Sequence, residues 1–138
     1  MTSDAALPPS VRVEVDGEVA VVLVDRPHKR NAIDDETILG LERVFLAPPD
    51  GVRALVLAGT ADHFCAGLDL SALSETSVVD GVHHSRMWHR ATQAIQLGRL
   101  PVVSVLKGAV IGGGLELASA THLRVAEPSA FYALPEGQ

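Results

Sequence analysis

Two carboxylates at a fixed interval are the first candidates for chemistry. Glu116 and Glu136 stand 20 positions apart in the last part of a 138-residue chain. Carboxyl groups held over one substrate can divide general acid and general base work. Glu116 directly follows Gly112-Gly113-Gly114 and Leu115, on the first turn of a predicted helix. The bland reading is a negative charge on the positive end of a helix dipole. Its apolar neighbours Leu115, Leu117 and Ala118 argue for partial burial, and burial raises a carboxyl pKa toward neutrality. Glu136 follows Leu134-Pro135 and, taken alone, is an ordinary polar residue near a chain end.

The glycine run needs its own account. Gly108, Gly112, Gly113 and Gly114 do not form G-x-G-x-x-G, and no Gly-Lys-Ser/Thr follows. The spacing therefore fits neither a dinucleotide loop nor a Walker loop. A bare helix N-terminus still offers unpaired N–H groups, and glycine lets a ligand approach them closely. Such donors suit an oxyanion. A tight strand-to-helix corner explains the same residues without any ligand. The stretch "HFCAGLDL", His63 to Leu70, is a second small-residue turn. Its Cys65 has no histidine in a recognisable relation to it and reads as a small apolar residue. His83, His84 and His89 are spaced one, five and six apart, with no i,i+4 pair and no H-E-x-x-H, so no metal site is expected.

The elements that must hold these residues follow from periodicity. Val11 to Val15 alternates, Asp16-Gly17 signals a hairpin turn, and Val19 to Val24 is a buried β-branched strand. After the polar loop "RPHKRN", Asp34 or Asp35 can cap a helix carrying Ile38, Leu41, Glu42, Val44 and Phe45. Strands are predicted from Arg53 to Ala58, from Pro101, and from His122 to Ala126, with an extended piece from Ala130 to Ala133. Ser74 to Asp80 reads as loose, and Gly81 to Leu97 as a helix with Val82, Met87, Trp88, Ala91, Ile95 and Leu97 toward the core. The order is that of an α/β domain with mainly parallel pairing after the first hairpin. Residues 1–10 read as a short disordered leader and 11–138 as the folded core.

Composition narrows the function classes. Apolar residues make up 47%, which fits a globular chain, and the net charge of −6 argues against a nucleic-acid binder. No apolar run approaches the roughly 20 residues that span a bilayer, and residues 1–10 lack the pattern of a secretory signal. A single cysteine permits no intrachain disulfide and suits a reducing compartment, so the expected location is cytoplasmic.

Taken together and in order, "RPHKRNAI", "HFCAGLDL" and "PVVSVLKGAVIGGGLELASATHLRVAEPSAFYALPE" resemble the enoyl-CoA hydratase/isomerase family, the crotonase superfamily. The resemblance covers the chain from Val11 onward and matches the family's N-terminal half. It implies a spiral of ββα turns, here truncated before the C-terminal helical region. It implies an acyl-CoA thioester substrate, with coenzyme A as part of the substrate and no separate cofactor or metal. It places the thioester oxygen between the N–H groups of Leu68 and Gly113. It makes Glu116 and Glu136 the pair that adds water, syn, to a trans-2-enoyl-CoA. It assigns Ala66, Gly67, Asp69, Leu70 and Gly112 to the turns bordering the substrate, and makes Lys29 and Arg30 candidates for the CoA phosphates, against a plain solvated basic loop. It further implies self-association as trimers or pairs of trimers.

Three alternatives stay open. The chain is a non-catalytic member that binds acyl-CoA or a full-length relative. It catalyses another reaction of the superfamily, such as enoyl-CoA isomerisation, for which one carboxylate suffices. Or it is an α/β nucleotide-binding domain, against which the glycine spacing speaks. Missing the family's second half, the chain is expected to expose an apolar face.

Overall fold

A computed structural model describes residues 6–73 and 77–137. Strands β1 (Val11–Asp16) and β2 (Val19–Val24) form the antiparallel hairpin, closed at Gly17 with a φ of +58°. Helix α1 (Asp35–Leu46) then crosses to β3 (Ala54–Gly59), and α2 (Val78–Gln96) crosses to β4 (Val102–Leu106). Strand β5 (Ala109–Ile111), helix α3 (Gly113–Ala120), β6 (Leu123–Ala126) and β7 (Phe131–Ala133) complete the strands and α-helices among the described residues. The main sheet has the order β1-β2-β3-β4-β6, all parallel after the hairpin, and β5 and β7 form a separate parallel pair.

The hydrophobic pattern explains the layering. Along β2, β3 and β4 every second residue is buried, so Val22, Leu55, Leu57 and Val102 face Ile38, Leu41 and Phe45 of α1 and Ala91 and Ile95 of α2 in one core. Fully burying side chains of this size contributes roughly 1.5–3 kcal/mol each. The one polar residue on the buried face of β4, Ser104, is satisfied by Thr121 at 2.8 Å. Asp34 caps α1 by accepting the Thr37 N–H at 2.9 Å.

Some expectations are corrected. Residues 7–10, read as part of a leader, are packed: Ser10 bonds Thr37 Oγ1 at 2.8 Å, and the Pro8 ring lies so close over Gly40 that a Cβ there would stand 2.8 Å from it. Residues 1–5 of that leader, and Ser74 to Thr76 of the loop expected to be loose, lie outside the described residues. Helix α2 starts three residues earlier than predicted because Ser77 caps it, its Oγ accepting the Asp80 N–H at 3.2 Å. Val82 and Leu97, expected in the core, are exposed, since the buried side of α2 is Trp88, Ala91, Ala94 and Ile95. Strand β5 has no counterpart among the predicted strands, because three residues carry no period of their own and the partner β7 is remote in sequence. Leu123, Val125, Phe131 and Tyr132 on β6 and β7 are about half exposed or more, the apolar face that was expected.

Candidate active site

The two small-residue turns meet. The segment after β3 runs beside β5: Phe64 N–H donates to the Lys107 carbonyl at 2.8 Å, Cys65 N–H to Ala109 at 3.0 Å, and Ile111 N–H returns to Cys65 at 3.1 Å. His63 Nδ1 accepts the Ala109 N–H at 2.9 Å and fixes the same junction. Beyond Cys65 the chain pairs with Ile33, whose N–H donates to Gly67 at 2.8 Å and whose carbonyl accepts from Asp69 at 2.9 Å. In a parallel bridge those two bonds belong to the neighbours of the bridged residue. Leu68 therefore turns its own N–H away from Ile33, and no described group accepts it.

Gly113 is the first residue of α3, so its N–H has no acceptor within the helix, and none is found among the described residues outside it. The two turns pack together at the residue before Leu68: a Cβ on Gly67 would sit 3.6 Å from Gly113 N and 2.9 Å from the Ile111 carbonyl oxygen. Gly67 also has a φ of +102°, a conformation that side chains disfavour. Gly112 has a φ of +54°, a conformation that side chains disfavour, and Gly113 and Gly114 leave no room for a side chain. A methyl on Gly112 would strike the Glu136 carboxylate, on Gly113 the Trp88 ring, and on Gly114 the Cys65 carbonyl.

Glu136 reaches this junction through the small sheet. Ile111 registers with Ala133, and Gly112 N–H donates to the Ala133 carbonyl at 2.8 Å. The chain then enters a single 3-10 turn, Pro135–Gly137, which lays the Glu136 carboxylate over Gly112. Glu116 lies on the same helix end, its N–H donating to the Gly112 carbonyl at 3.0 Å. Its expected burial is corrected: Glu116 is exposed, as is Glu136. The apolar neighbours Leu117 and Ala118 point to other faces of the helix, so adjacency in sequence does not bury the carboxylate.

The basic loop is tied to the first turn. Lys29 Nζ donates to Ser71 Oγ at 3.2 Å, and Arg30, exposed and left-handed at a φ of +52°, accepts the Ala66 N–H at 3.1 Å. Leu70 is exposed, but the Asp69 carboxylate is buried and turned inward. It accepts from Ser71 Oγ at 2.6 Å and from Arg26 at 2.9 Å, and these two partners hold its pKa down at about 2.

One residue that carries this arrangement escaped the sequence reading. Asn31 is fully buried with a φ of +58°, accepts from Arg26 N–H at 2.8 Å, and donates to the carbonyls of Thr60 (2.8 Å) and His63 (2.7 Å). Asparagine is among the few residues that tolerate a left-handed backbone, and that was the available signal. Cys65 is also buried, and burial pushes its thiol up to about 12, which suits a packing role.

A cleft of about 780 Å³ opens from Leu68 along the start of α2, with Leu73, Val78 and Met87 as apolar wall and Asp35 and His84 as polar wall. Gly113 and the two glutamates are not part of its lining. The site residues thus fall into a junction with two free N–H donors, a carboxylate over that junction with a second on the same helix end, and a cleft leading away from one donor.

Comparison with known proteins follows the same lines. The sequence profile described as enoyl-CoA hydratase/isomerase matches residues 14–138. The chain is 29% identical over 130 residues to a short-chain-enoyl-CoA hydratase of Clostridium acetobutylicum, covering 92% of this chain and 50% of that protein. It is 28% identical over 141 residues to a peroxisomal Delta(3,5)-Delta(2,4)-dienoyl-CoA isomerase of Arabidopsis thaliana, covering 91% and 50%. The crystal structure of a candidate enoyl-CoA hydratase from Rhodopseudomonas palustris superposes with a TM-score of 0.89 at 52% identity, covering 93% of this chain and 50% of that one. The chain spans about half the length of the curated relatives it matches.

Proposed function

The chain belongs to the enoyl-CoA hydratase/isomerase family, and from that premise we propose that it adds water, syn, across the double bond of a trans-2-enoyl-CoA. The observation that carries this reading is the junction of the two turns, where Leu68 and Gly113 hold N–H groups without acceptors. A thioester oxygen between them gains negative charge as the β-carbon is attacked, and fixed donors aimed at that charge lower the barrier. One such donor is worth about 10²–10³ in rate. The positive end of α3 adds to the effect.

The acid–base half of the reaction falls to the carboxylates. Water loses a proton to one of them as its oxygen bonds to the β-carbon, and the α-carbon takes a proton from the other. In this reading Glu116 activates the water and Glu136 supplies the proton. The Glu136 carboxylate over Gly112 puts one acid–base group beside the junction of the two turns. Coenzyme A enters as part of the substrate, with Lys29 and Arg30 within the loop that would meet its phosphates. Trimers or pairs of trimers belong to the same proposal and are read from the mass in solution.

Isomerisation is the second reading, favoured by the isomerase among the relatives. The test is the absorbance of crotonyl-CoA, whose conjugated double bond is lost on hydration, in the wild type and in Glu116→Gln and Glu136→Gln. Hydration that falls about 10²-fold or more in each variant supports the pair. Conversion of a 3-enoyl-CoA without hydration selects the isomerase reading. Saturable crotonyl-CoA binding with neither reaction selects a binding protein.

A further inference from the structure

One row of helix α2 changes character along its length. Residues a heptad apart on a helix lie almost in line, and Gly81, Trp88 and Ile95 form such a row. Trp88 and Ile95 are buried in the core. Gly81 is exposed and lines the cleft that opens from Leu68. At about 100° per residue, the α2 residues on the cleft, from Val78 to Met87, share one arc, and Gly81 stands inside it beside His84. A side chain at position 81 would therefore project into the cleft. The His84 ring is drawn to α1, its Nδ1 lying 3.1 Å from the Asp35 carboxylate.

Neither packing nor backbone calls for a glycine there. Glycine is among the weakest helix formers and has no side chain to bury. At Gly40, Gly113 and Gly114, the other α-helical glycines among the described residues, an added Cβ would stand less than 3.0 Å from a neighbour. At Gly81 it would meet nothing within 4 Å, and the φ of Gly81 is not positive. A larger residue would fit, favour the helix and continue the apolar row. The missing side chain keeps the cleft open instead. The rest of the wall indicates what that space takes. Leu68, Leu73, Val78 and Met87 accept hydrocarbon, Asp35 and Asp80 oppose an anionic group, and Lys29 and Arg30 are not part of the lining. The cleft thus suits the acyl end of a thioester held at Leu68, not its phosphate end. From Val78 to Met87 the wall runs for about 14 Å of helix, longer than a butyryl chain.

Resting on the acyl-CoA reading above, we infer that Gly81 is a specificity-determining residue, whose missing side chain opens the cleft to a medium-length aliphatic chain. The substrate class is then an enoyl-CoA with an uncharged chain of octenoyl length or longer, in preference to crotonyl-CoA. The thioester stays at the junction of the two turns, and the hydrocarbon runs past Leu68 along α2.

Calorimetric titration of the chain with butyryl-, hexanoyl-, octanoyl- and decanoyl-CoA, which have no double bond to hydrate, tests this. Affinity should rise about two- to fourfold per added methylene, so that octanoyl-CoA binds at least about tenfold more tightly than butyryl-CoA. Gly81→Leu should remove most of that difference and leave butyryl-CoA affinity near wild type. Gly81→Ala should unfold at a higher temperature than the wild type, since the helix gains and nothing is struck. A flat series in the wild type overturns the proposal, and that outcome depends on no variant folding. A wild-type difference that survives intact in Gly81→Leu also overturns it, because the hydrocarbon then lies elsewhere, as on the exposed face of β6 and β7. So does a Gly81→Ala variant less stable than the wild type, because the glycine then serves the fold. If no acyl-CoA binds at all, the acyl-CoA reading itself fails, which is a different result from binding without a chain-length preference.

Discussion

Replacing Gly67 with alanine should separate the two turns and slow the reaction. A Cβ at Gly67 would stand 2.9 Å from the Ile111 carbonyl oxygen. That oxygen is backbone, and the bond from Ile111 N–H to Cys65 (3.1 Å) and that from Gly112 N–H to Ala133 (2.8 Å) hold it from both sides. It cannot swing away as a side chain would. Ordinary contact begins at 3.4 Å, so the turns must part by about 0.5 Å. Misplacement by 1 Å costs about 10²-fold in rate, so half of that distance costs about tenfold. The φ of +102° adds a conformational cost of about 1–3 kcal/mol to folding. Gly51→Ala separates the two effects, because Gly51 also has a positive φ, +78°, but a Cβ there meets nothing within 4 Å. Both variants should unfold at lower temperature than the wild type. Only Gly67→Ala should lose turnover of crotonyl-CoA, by about tenfold. Equal turnover in the two variants would refute the reasoning.

Other substitutions probe the remaining parts. Gly112→Ala puts a methyl where the Glu136 carboxylate lies, and that exposed side chain can move aside, while the φ of +54° at Gly112 disfavours any side chain, so hydration and the unfolding temperature should both fall. Asn31→Ala removes three buried hydrogen bonds and should cost about 2–4 kcal/mol in denaturant unfolding. Asp69→Asn bears on pH. The folded carboxyl, at about 2, lies below its ordinary 3.8, so its contribution is complete above about pH 4 and is lost as pH falls toward 2. The asparagine variant should be less stable than the wild type at neutral pH, and the gap should narrow across that acid window in thermal unfolding. A gap that is constant with pH would place the effect of Asp69 elsewhere.

What the sequence makes legible is what short segments dictate. The β-branched runs from Val19 and from Pro101 and the Asp34 cap are local signals, and the structure places strands and a helix there. Three consecutive glycines could be read as a turn, but the reason for each was not readable. Glu136, the Trp88 ring and the Cys65 carbonyl come from three remote segments. The same limit hid β5, whose partner β7 lies 20 residues on, and the His84–Asp35 contact, which spans 49 residues. Glu116 shows a different failure. Its neighbours are apolar, but a helix turns them to other faces, so the carboxylate stays exposed. Asp69 shows the reverse, a charged residue in a loop that an arginine 43 residues earlier draws inside.

Two backbone donors carry the proposed chemistry, and amide chemical shifts observe them directly. In a ¹⁵N-labelled chain titrated with butyryl-CoA, which has no double bond to hydrate, the N–H protons of Leu68 and Gly113 gain an acceptor when a thioester oxygen lies between them. Both resonances should move downfield together, by more than those of Ala66 or Ile111, and saturate at the concentration that saturates binding. Saturable binding that leaves the Leu68 and Gly113 protons unmoved would contradict the account, since the thioester would then be held somewhere other than the junction of the two turns.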